Sequence, residues 1–381
     1  MNPLVENVPG SLIRALHGRR RPSSINLGLG EPSLMPDVTY FERATRWVAE
    51  HGCRYSSNIG HDDLREAIAA HYAYPSLDLP ENVCIMSGSQ EAVYVTMKTL
   101  LDPAKDEVLL VDPAFPVYVK VAQVEGIALR RVTMGPATDY AFDPERILAA
   151  IGPKTRMIVL CSPCNPTGRV VSNAVAKRIA EGLLARSGPP IYLMHDEIYR
   201  ELVYTHDVAQ FGKLYPYTIA INSLSKSNAL TGLRLGWVIA PGDVMPHIVK
   251  MHGWTTSCAS TFAQRIAYEI FEAGDLAGHR QWYAAQRSGA LTAAREAGLD
   301  CIDPEGAFYL CIKVGAEDTL AFAEALIDES DVIAIPGHIF ASTLRGWLRT
   351  SFVAPLSEIG EGFARIARLA QARGLLSSRP A

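Results

Sequence analysis

The chain has 381 residues, of which 48% are hydrophobic and 20% charged, with a formal net charge of −4. That balance suits a soluble globular protein with a sizeable core. It offers no basic field for nucleic acid or an anionic membrane, and no apolar stretch nears the roughly 20 residues of a membrane span. The opening residues MNPLVENVPG lack a basic patch followed by an apolar core, so no secretion signal is expected and a cytoplasmic location follows. Seven scattered cysteines, an odd number, argue against a disulfide framework. Cys161 and Cys164 form a C-x-x-C. No second pair stands at a metal-site spacing, so two buried or half-buried thiols are expected and no metal.

In chain order, residues 64–72 put Leu64, Ala67, Ile68, His71 and Tyr72 on one helical face. Residues 83–86 follow as an apolar run. The stretch from Gln90 then aligns Val93, Met97, Leu100 and Leu101. Further apolar, largely β-branched runs occupy 107–112, 156–161, 191–194, 218–222 and 235–240. Several lack polar alternation, as strands buried on both faces do. Strand and helix in repeated alternation predict an α/β domain with a mostly parallel sheet, its binding loops at the carboxyl ends of the strands. The last ninety or so residues differ: helical patterns at 281–297 and 356–372 flank short strands at 308–313, 332–335 and 347–352. They predict a smaller α+β domain, joined by the first forty residues. The expected division is 45–285 for the large domain, with 1–44 and 286–381 in the small one. The end, 377–381, is expected to fray.

Four short segments carry chemistry. Ser87-Gly88-Ser89-Gln90-Glu91 links a strand to a helix, where free backbone N–H groups and the dipole suit a phosphate, although any tight turn favours the same residues. Asn165-Pro166-Thr167-Gly168 and Asp196-Glu197-Ile198-Tyr199 each follow a strand, and alone read equally as a turn and a helix cap. Ser223-Leu224-Ser225-Lys226 leads to Gly232-Leu233-Arg234-Leu235-Gly236. Hydroxyls and a guanidinium suit a phosphate. A lysine beside them can attack a carbonyl when its amine is partly unprotonated, and a solvated Lys with a surface Arg is the plain alternative.

The order and spacing of these segments resemble the class I/II aminotransferases, enzymes of pyridoxal 5'-phosphate (PLP) fold type I, as in aspartate aminotransferase. The resemblance runs from Leu29-Gly30-Glu31-Pro32 to Arg349-Thr350-Ser351-Phe352. It implies a large three-layer domain plus a small one, and transfer of an amino group from an L-α-amino acid to a 2-oxo acid. By this resemblance Lys226 holds PLP as a Schiff base and moves the proton at the substrate Cα. Asp196 pairs with the pyridine nitrogen, and Asn165 and Tyr199 bond the phenolic oxygen. Gly88, Ser89, Gln90, Ser223, Ser225 and Arg234 hold the phosphate, while Phe115 stacks on the ring. Tyr55 reaches the phosphate of a neighbouring subunit, which implies a homodimer with shared active sites. Arg349, Gly30 and Asn165 bind the substrate, with Arg349 on its α-carboxylate.

Two departures from the family pattern stand out. The usual Pro-Gly-x-x-Phe-Gly reads Pro336-Gly-His-Ile-Phe340-Ala341, and His195 occupies a position ordinarily small or apolar; packing is the expected fate of that imidazole. A C–S β-lyase, or another deaminating or oxidising PLP enzyme, shares every cofactor residue. A non-catalytic PLP-binding regulator ordinarily carries a DNA-binding module, which is not seen here. For a dicarboxylate side chain, Arg19, Arg20, Arg21 and Arg54 are the cationic candidates, the run 19–21 being expected as a solvated surface stretch. Tyr118 and Phe340 are candidates for receiving an apolar side chain.

Overall fold

The computed structural model describes residues 1–75, 77–205 and 208–376; the end expected to fray lies outside them. The strands in chain order are β1 (Ile25–Asn26), β2 (Val83–Met86), β3 (Glu107–Asp112), β4 (Ala128–Thr133), β5 (Thr155–Cys161), β6 (Tyr192–Asp196), β7 (Thr218–Asn222) and β8 (Gly236–Ile239), followed by β9 (Cys301–Ile302), β10 (Tyr309–Lys313), β11 (Val332–Ile333), β12 (Ile335–Pro336) and β13 (Trp347–Ser351). Seven of them form one sheet in the order β2-β8-β7-β6-β5-β3-β4. β4, β3, β5, β6 and β7 run parallel, while β8 runs antiparallel to both of its neighbours. β2 therefore ends on the same edge as β3, β5, β6 and β7. β6 and β7 are buried along their whole length, as their unbroken apolar runs require.

β4 is the strand of this sheet that the apolar runs did not reveal, as the two-residue β1 and β9 also went unseen elsewhere. It lies at the sheet edge, where Arg130 and Arg131 face outward, so its sequence ALRRVT carries the charges that protect an edge from further pairing. The helix Asp62–Tyr72 also differs in detail. It buries Leu64, Arg65, Ile68, Ala69 and Tyr72 rather than the face through Ala67 and His71. Arg65 is inside because its guanidinium bonds the Pro80 carbonyl and the Asp62 carboxylate, partners that periodicity cannot register.

The second sheet is antiparallel, in the order β12-β13-β10-β9. The single strand expected at 332–335 is two: β11 pairs in parallel with β1, and β12 turns away to join β13. The β1 pairing fastens the N-terminal segment to this part of the molecule. Both expected domain boundaries fall inside helices, Val38–His51 and Arg280–Glu296, rather than in loops. All seven cysteines are free, with Cys161 and Cys164 both buried.

Candidate active site

The carboxyl edge of the large sheet collects the loops that carried chemistry in the sequence. Between β3 and β5 the chain order reverses, the place where an open α/β sheet leaves a crevice. After β2, Gly88 turns the chain at φ +95° into the helix Ser89–Leu100. A Cβ at Gly88 would stand 2.6 Å from Nη2 of Arg234, and one at Gly236 would stand 2.6 Å from the Ser89 nitrogen. Only glycine lets these three segments approach so closely. Arg234, itself at φ +53°, is steadied by donating to the Thr231 carbonyl at 2.9 Å. After β7, the Ser223 hydroxyl accepts from the Ser225 N–H at 3.0 Å and caps the turn bearing Lys226. A helix N-terminus, two serines and a guanidinium thus converge as an anion cradle. Gly88 is buried, Ser89 half-buried and Gln90 exposed at its rim.

Lys226 Nζ donates to the Gly30 carbonyl at 2.8 Å. Burial, with the charges of Arg349 and Arg234 nearby, pulls its amine down to about 8, against a smaller upward pull from Glu31. About a tenth of such an amine is unprotonated at pH 7, far more than at an ordinary lysine, and the unprotonated form is the one that attacks a carbonyl. Asp196 closes β6 and is buried. Its Oδ2 accepts from the Tyr118 hydroxyl at 2.6 Å and its Oδ1 from the Ile198 N–H at 3.2 Å. Burial raises the carboxyl, while these two donors and the Lys226 charge oppose that rise.

Strand alternation sends His195 and Glu197 to the opposite face. His195 packs edge-on to Phe211 at 5.1 Å between ring centres, and burial pushes it down to about 3, so it is neutral. Glu197, raised to about 7 by burial, is held by the Tyr74 hydroxyl at 3.0 Å and by Arg200 at 3.3 Å. The expectation that His195 belongs to packing agrees with this geometry.

The second sheet contributes Arg349. It lies in β13 opposite Cys311 and Ile335, and is 2% exposed. One guanidinium nitrogen donates to Asn165 Oδ1 at 3.2 Å and the other to the Gly28 carbonyl. The rings of Tyr309 and Phe340 lie 4.4 and 5.1 Å away, while Nε has no partner. Asn165 is kept in place because Gly168, at φ +71°, accepts from the Glu305 and Gly306 N–H groups at 3.0 and 2.9 Å. Tyr199 meets Tyr309 hydroxyl to hydroxyl at 2.9 Å. Phe115 is half-buried just beyond β3.

Lys226, Asp196, Asn165, Tyr199, Arg349 and Gly30 are therefore brought together, with the cradle beside them. Tyr55 stands apart, 88% exposed on the single chain. Arg19 and Arg21 pair with Asp328 and Asp331 on the surface, consistent with the solvated stretch expected of them. Two tyrosines were missed in the role the structure reveals. Tyr118 donates to the Asp196 carboxylate, and Tyr309 bridges Tyr199 and Arg349. The signal for Tyr118 was its place one turn beyond Phe115; Tyr309 gave none, since in sequence it is one aromatic in an apolar strand.

The profile of the family described as Aminotransferase class I and II matches residues 22–366. The chain belongs to that family. Among its relatives, the aminotransferase of Bacillus subtilis (strain 168) named a probable N-acetyl-LL-diaminopimelate aminotransferase is 30% identical over 380 residues, covering 96% of this chain and 94% of its own. An aspartate aminotransferase of Pyrococcus horikoshii is 30% identical over 374 residues, covering 93% of each. The solved aspartate aminotransferase of Thermus thermophilus with maleate superposes with a TM-score of 0.90 at 27% identity, covering 97% of this chain and 99% of its own. This aminotransferase thus shares the aspartate aminotransferase fold across nearly its full length, and its activity is amino-group transfer on amino acids. The class I and II aminotransferases depend on PLP.

Proposed function

We propose that the chain binds PLP at the carboxyl edge of the large sheet and transfers the amino group of an L-α-amino acid to a 2-oxo acid there. The observation that carries this is Lys226, an amine lowered to about 8 beside an anion cradle and a buried carboxylate. The residues fit the cofactor. Gly88, Ser89, Gln90, Ser223, Ser225 and Arg234 would hold its phosphate, Asp196 its ring nitrogen, Asn165 and Tyr199 its phenolic oxygen, and Phe115 its ring face. Lys226 would hold its aldehyde carbon covalently. When bound, the cofactor supplies an electron-accepting ring. A carboxylate at the ring nitrogen favours the charged ring, and Tyr118 keeps Asp196 aimed for that task.

Arg349 would take the substrate α-carboxylate. Its unpartnered Nε and its planar fork suit that anion in a way an ammonium does not. Gly30, its carbonyl already on Lys226 Nζ, would line the same place. Once displaced, Lys226 Nζ is the base that moves the proton at the substrate Cα. The 45–285 part would then carry the cofactor and the 1–44 and 286–381 part the carboxylate.

The homodimer reading draws support from the exposed surface. Tyr55 and Trp254 are 88% and 85% exposed. Nearby, an apolar groove of about 410 Å³ is lined by Asn58, Ile59, Met245 and Val249. A second copy covering this surface would bring Tyr55 to its partner's phosphate site. Seven free cysteines fit a reducing, cytoplasmic setting. Among the described residues no helix is long and apolar enough to cross a membrane.

The test is the absorbance of the PLP-loaded protein titrated with single L-amino acids without an oxo acid. One conversion of the cofactor band that then stops supports transamination and names the donor. A persistent band with accumulating ammonia or pyruvate overturns it in favour of elimination.

A further inference from the structure

Tyr309 lies where four residues of the site meet. Its hydroxyl is 2.9 Å from that of Tyr199. It also packs against Gly30 so closely that a Cβ there would collide with it. Gly30 in turn accepts from Lys226 Nζ at 2.8 Å, and Arg349 lies 4.4 Å over the Tyr309 ring. Tyr309 sits in β10 with its register partner Ser351 in β13, one diagonal step from the Cys311–Arg349 pair, so both side chains share a face. Tyr199 follows β6 in the other sheet. The hydroxyl pair therefore joins the part that would hold the cofactor to the part that would hold the substrate carboxylate.

The bond between the two phenols has no fixed direction by itself, because either oxygen can donate. Each phenol has one proton and two lone pairs. If Tyr199 spends its proton on the phenolic oxygen of the cofactor, as the proposed function has it, its own oxygen can only accept. Tyr309 must then donate. The surroundings of the pair favour this polarity: burial raises both phenols, Tyr199 the further, and the Arg349 charge, which lies over the Tyr309 ring, opposes that rise chiefly at Tyr309. Cys161 neighbours both hydroxyls and Lys226 reaches them through Gly30. Neither of these two groups supplies a competing donor to Tyr199 in the described hydrogen bonds.

We propose that Tyr309 is a positioning residue that donates its proton to the Tyr199 oxygen and so turns and strengthens the Tyr199 hydroxyl as a donor to the cofactor. Hydrogen bonds in such a chain polarise one another, by about 10–30% per bond. The inference rests on the reading of Tyr199 given above. It adds a residue outside the recognised motifs, whose effect reaches the cofactor only through Tyr199.

The experiment is a pH titration of the visible absorbance of the PLP-loaded protein, with Tyr309→Phe, Tyr199→Phe and the double variant beside the parent. Donation to the cofactor's phenolic oxygen stabilises its anionic form and lowers the midpoint. Tyr199→Phe should raise it. Tyr309→Phe should raise it less, by roughly 0.1–0.7 pH unit, the size of a 10–30% change in one charge-assisted bond. The double variant should match Tyr199→Phe, because the relay has lost its second member. An unchanged midpoint in Tyr309→Phe, or a full second shift in the double variant, overturns the proposal. If Tyr309→Phe does not fold, a fluorotyrosine at position 309, a stronger donor, should lower the midpoint, and no change there overturns it equally. Failure of the cofactor reading looks different: the visible band would then be the same in Lys226→Ala as in the parent.

Discussion

Along the carboxyl edge of the large sheet, the polar groups already have partners supplied nearby. Asp196 accepts from Tyr118 and Ile198, and Ser223 accepts from Ser225. On the small sheet Arg349 is buried between two rings with its Nε unpartnered. A buried guanidinium with an unmet donor is costly, and a carboxylate arriving there would remove that cost. One region is built before the ligand comes. The other is finished by it. On the proposed function the contrast would divide the work: the large sheet would make an environment for a permanent cofactor, and the small sheet would supply affinity for a passing anion.

The comparison breaks most sharply at Lys226. Lys226→Ala should retain PLP noncovalently, with no adduct trapped by borohydride, and lose turnover by about 10⁴-fold, the scale of a combined covalent and proton-transfer role; near-parental activity would remove the mechanism. On the other side, Arg349→Lys should raise KM for the amino acid by about 10–100-fold, the equivalent of one charge-assisted hydrogen bond of about 1.5–3 kcal/mol, while the cofactor spectrum stays as it was. A spectrum that changed with KM would mean that the two regions are not separable.

The pH dependence of cofactor capture sharpens the first region further. Lys226 is depressed to about 8, so the reactive neutral amine predominates above that pH and is lost below it. Capture of PLP by the cofactor-free protein, followed by stopped-flow absorbance, should quicken about tenfold from pH 7 to pH 9. A rise of about a hundredfold over the same range would mean that burial leaves the amine at its ordinary value. Tyr118→Phe removes one donor from Asp196 and should cut kcat by roughly 10-fold, with KM little changed. The smallest effect is expected at His195, on the far face of the same strand. His195→Leu should leave kcat/KM unchanged and alter stability in a melting curve by less than about 1.5 kcal/mol, since a neutral ring packed on Phe211 is exchanged for an apolar side chain.

Much of this was legible in the residues. Lys226, Asp196, Asn165 and Arg234 lie in short segments at strand ends, where loop chemistry shows in sequence because few residue types serve there. The interior strands were visible because burial on both faces leaves unbroken apolar runs. Edge strand β4 was hidden by the arginines that shield it. Arg65 was hidden because its partners, the Pro80 carbonyl and Asp62, make burial of a charge tolerable.

The sequence by itself determined the family, the alternation that builds the large sheet, and the lysine and carboxylate at its edge, because each is a local pattern tied to local geometry. Only the tertiary structure decided that Tyr118 meets Asp196 and that Tyr309 meets Tyr199. These contacts join residues 78 and 110 positions apart, across elements whose mutual placement no local pattern encodes. It also decided that Arg349 is buried with a donor unmet, since that depends on Gly28, Asn165, Tyr309 and Phe340 arriving together from four separate segments.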